Sequence, residues 1–251
     1  MKKNHIHIGT SGWSYKHWRG TFYPEGTKVK DHFSYYAGIF NTVEINNTFY
    51  GVPSDDTFLK WRETVPDDFV YVIKANRFIT HLKKLRNPEE SLQSFMEKVE
   101  ILGTKLGAVL FQLPPFLTVN VELLETFLAA LPSKNRYVFE FRNESWYIPP
   151  VYDLLQKYNV AFCIYELAGH ISPIQTTTDF VYLRLHGPGA NKYQGSYSDE
   201  SLMEWAAQCK IWLKTKDVFV YFDNDEKGYA AFNAIKLKEY ITDPQLENNL
   251  K

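Results

Sequence analysis

Seven ionisable residues fall at or just beyond the C-terminal ends of short β-rich runs: Glu44, Lys74, Glu140, Arg142, Arg184, His186 and Asp223. Two glutamates in one site suit general acid/base chemistry when their neighbours separate their pKa values. Lys74, Arg142 and Arg184 are suited to hold negative charge, whether carried by a substrate or developing during reaction. Asn46, Asn76, Gln112 and His186 supply polar groups that orient a ligand. A structural ion-pair network plugging one end of a fold is the competing reading. Buried ion pairs are often replaceable by apolar residues at no loss of stability, so a large set kept in one place favours function.

The elements that must position these residues alternate. Strand candidates cover 5–9, 42–46, 69–74, 107–112, 136–142, 160–165, 180–186 and 217–223, rich in β-branched and aromatic residues and ending at Gly, Asn, Pro or Asp. Helix candidates lie near 31–40, 55–64, 91–103, 120–131, 150–158, 200–214 and 227–240, with Ser54, Asn120 and Ser198 as N-caps. The segment 166–179 reads as irregular. Alternation of this kind implies a parallel sheet. Eight strands in 251 residues favour a single (β/α)₈ TIM barrel, one domain over 1–251. The open doubly wound sheet is the alternative, but Gly9-Thr10-Ser11-Gly12-Trp13 lacks its glycine-rich phosphate turn.

Period-two alternation then aims the chemistry. Val43 and Ile45 oppose Glu44 and Asn46. Phe139 and Phe141 oppose Val138, Glu140 and Arg142. Val181, Leu183 and Leu185 oppose Tyr182, Arg184 and His186. The apolar sets pack on helices and the mixed sets face the barrel axis, converging where barrels of this class build active sites.

A formal charge of −1 gives no global field towards nucleic acid or membranes. Cys163 and Cys209 form no CxxC pair and read as buried thiols. Neither a signal-peptide pattern nor an apolar run of membrane-spanning length is evident, so a reducing, cytoplasmic setting is expected. Local patches are richer. The loop from Gly12 to Pro24 interleaves aromatics, Trp13 and Tyr15 among them, with bases. It either stacks on a ligand or packs on itself as a cap. Lys74, Arg77, His81, Lys83, Lys84 and Arg86 form a basic cluster, read as a solvated helix face or as a phosphate or carboxylate site, and 185–197 reads as a shaped lid with three glycines or as a long ordinary turn. A divalent metal is a weaker alternative, because His186 is the one well-placed histidine and the neighbouring cations repel a metal.

Several motifs together resemble the DUF72 (YecE-like) proteins. They are Gly9 to Tyr15 with Trp18, Gly20 and Phe22-Tyr23-Pro24; Val43 to Tyr50; Lys74 to Arg77 with Ile79-Thr80-His81; and Leu110 to Pro115. Further along come Glu140-Phe141-Arg142 with Ser145-Trp146, Tyr182 to Gly187, Tyr193 with Gly195 and Tyr197, and Tyr221 to Asp225 with Gly228, Ala231, Asn233 and Ala234. The resemblance spans nearly the whole chain and implies a TIM barrel without implying a reaction. On these motifs Trp146, Tyr193, Tyr197 and Asn224 join Trp13, Tyr15, Asn46, Asn76, Arg77 and Gln112 as candidate substrate contacts. Two positions depart from the pattern. Asn143 stands where relatives often carry His, and Asp223 where Asn is common, an extra acid that either strengthens a cation site or pairs with Arg184.

The expected function is an enzyme with acid/base chemistry, of hydrolase or lyase type, on a small-molecule, sugar-like or nucleotide-like anionic substrate. The alternatives are a metal-assisted phosphodiesterase resembling endonuclease IV, with nucleic acid as partner, and a non-catalytic binding module.

Overall fold

Alternation along the strands sorts the apolar residues into two layers. Val72, Ala108, Leu110, Val138, Ala161, Cys163, Phe180, Tyr182, Phe219 and Tyr221 form an inner cluster, while Val43, Tyr71, Ile73, Phe111, Phe139, Leu183 and Val220 belong to an outer one shared with the helices. The expected facing of Glu44, Lys74, Glu140 and Arg184 towards the axis follows. The computed structural model describes residues 4–243.

The strands are β1 (Ile6–Thr10), β2 (Thr42–Ile45), β3 (Val70–Lys74), β4 (Leu106–Gln112), β5 (Tyr137–Glu140), β6 (Val160–Leu167), β7 (His170–Ile171), β8 (Phe180–Leu185) and β9 (Asp217–Phe222). All but β7 are parallel neighbours in the order β1-β9-β8-β6-β5-β4-β3-β2, the nearly closed wall of a (β/α)₈ barrel. The helices α1 (His32–Ala37), α2 (Asp55–Thr64), α3 (Glu89–Val99), α4 (Val121–Ala129), α5 (Pro149–Lys157), α6 (Asp199–Leu213) and α7 (Tyr229–Thr242) surround it. Asn120 and Ser198 cap α4 and α6 through the amides of Leu123 and Ser201. Ser54 occupies the N-cap position of α2, but its hydroxyl pairs with Thr57 Oγ1 instead of a backbone amide.

No helix follows β6. Ala168 and Gly169 both have positive φ and turn the chain back as the antiparallel strand β7. The hydroxyls of Ser172 and Thr177 accept from the amides of Tyr165 and Phe162, meeting the backbone demand of β6 without a ladder partner there.

The wall is weakest between β1 and β2, where no strand pairing joins the edges. Tyr36, on α1, places its hydroxyl in the seam. It accepts from Thr10 N at 3.0 Å and donates to Thr42 O at 3.0 Å. Gly9 permits this, because any Cβ there would collide with Thr42 O and lie 2.9 Å from the tyrosine oxygen.

At the opposite end of the barrel from the charged cluster, His7 stacks on Phe219 with ring centroids 4.6 Å apart, and its Nδ1 is buried without a partner among the described residues. Burial lowers its pKa to about 4. The folded state therefore keeps His7 neutral where the unfolded chain binds a proton, and stability falls as pH drops from 6.5 towards 4. At pH 4.5 this costs about 2–3 kcal/mol. His7→Phe, which keeps the stack, should remove that much of the acid sensitivity when urea midpoints at pH 7 and 4.5 are compared. An unchanged difference would place the sensitivity elsewhere.

Candidate active site at the C-terminal mouth

Arg184 is the hub. It is 1% exposed, held on β8 among acids from three other strands. Its Nε and Nη2 grip Glu44 at 3.0 and 2.6 Å, a bidentate pair. Nη1 donates to Glu140 Oε2 at 2.6 Å, and Nη2 lies 3.6 Å from Asp223 Oδ2. Glu44 also accepts from Ser11 Oγ at 2.7 Å and from the Tyr182 hydroxyl at 2.6 Å. Four donors thus meet one fully buried carboxylate, satisfying its lone pairs.

Glu140 is held just as closely. Arg142 Nε donates to Oε1, and the Cys163 thiol points at Oε2 from 3.8 Å. Burial alone would raise the Glu140 pKa, but Arg142 and Arg184 overcome it and hold the carboxyl well below the usual range. Burial pushes the Cys163 thiol far up, so it stays protonated.

Beyond Glu140 the chain of bonds continues outward. Arg142 Nη2 lies 3.0 Å from His186 Nε2, and His186 Nδ1 lies 3.1 Å from Asp223 Oδ2. A guanidinium only donates, so Nε2 accepts and the imidazole proton resides on Nδ1, donated to Asp223. Burial, then the charge of Arg184, lowers the His186 pKa to about 4 and keeps the ring neutral. Burial raises the Asp223 pKa, but its bond to His186 and the nearby cations outweigh this and lower it. Of the two roles open to the extra acid, the geometry shows the pairing role.

Lys74 differs from the others. Among the described residues its ammonium makes no hydrogen bond and no ion pair; it sits 4.7 Å from the centroid of the Phe49 ring. It is half-buried, and burial followed by repulsion from Arg184 lowers its pKa to about 8.

Two cavities open beside this cluster. One, of about 350 Å³, is lined by Gln112, Arg142, Tyr165, His170, Lys192 and Tyr193 together with Glu144. The other, of about 260 Å³, is lined by Ser11, Trp13, Ser14, Tyr15, Asn46 and Asn47. Asn46 Oδ1 is buried there without a partner among the described residues, and Tyr15 donates its hydroxyl to Ser11 O. A third cavity, between Phe78 and α3, holds none of the charged cluster.

Of the candidate substrate contacts, Trp13, Tyr15, Asn46, Gln112 and Tyr193 line mouth cavities. Others do not. Trp146 is fully buried, stacked on Phe141 with its indole nitrogen on Leu117 O, so it is core. Asn224 is fully buried and donates to Gly195 O and Asn233 Oδ1, tying down the 187–197 loop. The buried Tyr197 hydroxyl accepts from Gly187 N within the same loop. Asn76 spends both ends of its amide on Thr48 O and Phe78 N, stabilising a turn. Arg77 is exposed and lines none of the described mouth cavities.

In the first loop, Trp18, Phe22 and Tyr23 form a private core, so self-packing accounts for these rings, while Trp13 and Tyr15 face a cavity. The basic cluster is divided, with Lys74 and Arg77 close enough to act on His81. Lys83 lies over Phe78 and Lys84 over Phe116, away from Lys74. Asn143 bonds Pro115 O and caps the turn at Ser145.

Ser11, Tyr182, Cys163, Tyr165, His170 and Lys192 belong to the site without having been singled out for it. Alternation carried a signal for three of them. Tyr182 shares a face with Arg184, and the same test on β6 places Cys163 and Tyr165 on one face. For His170 no sequence signal existed, because it arrives through the β7 hairpin.

The sequence pattern of DUF72, described as a protein of unknown function, matches residues 7–250. The chain belongs to the DUF72 family. This DUF72 protein is 25% identical to the UPF0759 protein YunF of Bacillus subtilis, covering 94% of both chains. It is 31% identical over 143 residues to the UPF0759 protein YecE of Escherichia coli K12, 57% of this chain and 50% of that protein. Its structure is similar to that of a DUF72 family protein from Thermotoga maritima, with a TM-score of 0.86 and 29% identity over 96% of this chain and all of the other. A DUF72 protein from Enterococcus faecalis shares the fold at a TM-score of 0.81 and 21% identity, covering 94% of this chain and 95% of that one. Among the described residues of this DUF72 protein, no helix is long and apolar enough to cross a membrane.

Proposed function

We propose that this DUF72 protein is an enzyme acting on a small polar substrate that carries an anionic group, bound at the C-terminal mouth of the barrel. The observation that carries this reading is Arg142. It commits Nε to Glu140 and Nη2 to His186, leaves Nη1 without a partner among the described residues, and lines a cavity shared with Lys192. A guanidinium fixed on two sides and open on the third is preorganised for a carboxylate or phosphate. Gln112, Tyr165 and the buried Nε2 of His170, without a partner among the described residues, add polar groups suited to hydroxyls of a sugar-like substrate.

Glu44 and Glu140, the acid/base candidates of the sequence, are fully buried with their oxygens committed to guanidinium groups and other donors, so neither faces a substrate. In this reading they hold Arg184 and Arg142 in place. The metal-assisted phosphodiesterase alternative lacks a donor set. Among the described residues no group of three or more His, Cys, Asp or Glu side chains is placed to hold a metal, and the three acids of the mouth face Arg184.

The test is thermal denaturation against a panel of sugar phosphates and small hydroxycarboxylates. A ligand at a hundredfold its Kd should raise Tm by about 5 °C or more. Lys192→Ala should weaken that ligand about tenfold, with the Tm of the free protein unchanged, since Lys192 is exposed. A panel without effect, or a Lys192→Ala protein that binds as the parent does, would overturn the anion site. A ligand recovered chemically unchanged after prolonged incubation would make the site a binding module.

A further inference from the structure

We propose that Lys74 is a carbonyl-capturing amine, forming an imine with an aldehyde or ketone group of the anionic substrate. The inference rests on the anionic-substrate reading for its ligand and on Lys74's own surroundings for its chemistry.

Lys74 is the last residue of β3, on the axis-facing side with Val72; Val72 pairs with Glu44, so Lys74 lies two residues nearer the mouth than that partner, with Arg184, Glu140, Glu44 and Asp223 among its charged neighbours. The usual use of a lysine among acids is to pair with them. Here that use is already taken. Glu44 and Glu140 are saturated by Arg184, Arg142, Ser11 and Tyr182, and no carboxylate comes within ion-pair distance of Lys74 among the described residues. The Phe49 ring, held by the turn at Asn47–Phe49, lies over one side of the amine. The residue keeps partial solvent exposure, and neither described mouth cavity is lined by it. A desolvated amine beside a second fixed cation is the arrangement that activates lysine as a nucleophile.

The charged and titratable groups around it are Arg184, Glu140, Glu44 and Asp223 on the axial side, and His81 and Arg77 beyond Phe49. Burial and Arg184 dominate, which leaves an appreciable fraction of free amine near neutral pH. In the capture step the Nζ lone pair adds to the carbonyl carbon and the carbonyl π pair passes to oxygen. Proton transfer then gives a carbinolamine. Loss of that oxygen as water forms the C=N bond, so one amine and one carbonyl become one imine and one water, with no oxidant or reductant consumed. The resulting cationic imine is an electron sink for breaking a neighbouring C–H or C–C bond, which is lyase chemistry.

The experiment treats the whole protein at pH 7 with glyoxylate and cyanoborohydride, maps modified lysines by peptide mass spectrometry, and repeats the reaction with glycolaldehyde, which has a carbonyl but no anion. Lys74 should be modified at least about tenfold faster than the exposed lysines, because more of it is unprotonated. Lys74→Arg should abolish the selective label while the circular dichroism spectrum stays native. Modification spread evenly over surface lysines with both probes would overturn the proposal, and that result is read on the parent protein, so it does not depend on how the variant folds. Equal selectivity for Lys74 with both probes would support the amine and count against the anion site; faster labelling by glyoxylate would support both.

Discussion

Arg184→Met should destabilise the protein by at least about 3–5 kcal/mol, the cost of leaving buried carboxylates without their counter-ion. The arginine donates three hydrogen bonds to Glu44 and Glu140, both fully buried. Methionine fills much of the volume and supplies none of the charge. Against a typical domain stability of about 5–15 kcal/mol, the loss is a large fraction of the total. Urea denaturation followed by circular dichroism measures it. Adding Glu44→Gln should recover about 1–3 kcal/mol, because a neutral amide still meets Ser11 and Tyr182 without demanding a cation. A single variant within about 1 kcal/mol of the parent would mean that solvent reaches the cluster and that Arg184 is not its organiser. The consequence reaches the proposed site directly. Arg184 holds Glu140, Glu140 holds Arg142, and Arg142 faces the cavity.

Gly9→Ala is expected to be nearly as severe, at about 3 kcal/mol or more. The new methyl would strike Thr42 O across the one unladdered seam of the barrel and crowd the Tyr36 hydroxyl that stitches it. Tyr36→Phe removes the stitch without the collision and should cost about 1–3 kcal/mol, leaving Thr10 N without an acceptor. If the seam is a single unit, the two changes together should cost less than their sum. Native-state hydrogen exchange at Thr10 is the local readout. Unaltered protection in Gly9→Ala would show that the edges tolerate separation. Ser11 lies directly beyond this seam and donates to Glu44, so the integrity of the wall and of the site are linked.

The strands and their facing were legible because period two is a local property. Glu44, Glu140 and Arg184 each alternate with apolar neighbours, and a buried parallel strand leaves one face for the helices and one for the axis. Composition and alternation sufficed to place seven ionisable residues at one end of a barrel. They did not distinguish a residue that lines a cavity from one that braces a loop. Trp146 and Asn224 lie in motifs as distinctive as those of Arg142, yet they serve the core and the 187–197 loop, since their neighbours come from chain segments 29 residues away.

The sequence by itself determined the parallel barrel, the inward set of charges and the end at which they gather, because each depends on nearest-neighbour spacing. The tertiary structure decided which charges neutralise which. One guanidinium on β8 takes glutamates from β2 and β5, and that pairing leaves Lys74 on β3 without a partner among the described residues. The difference is physical: side-chain facing repeats every two residues along a strand, whereas ion pairing and desolvation depend on distances of a few ångströms between strands far apart in the chain.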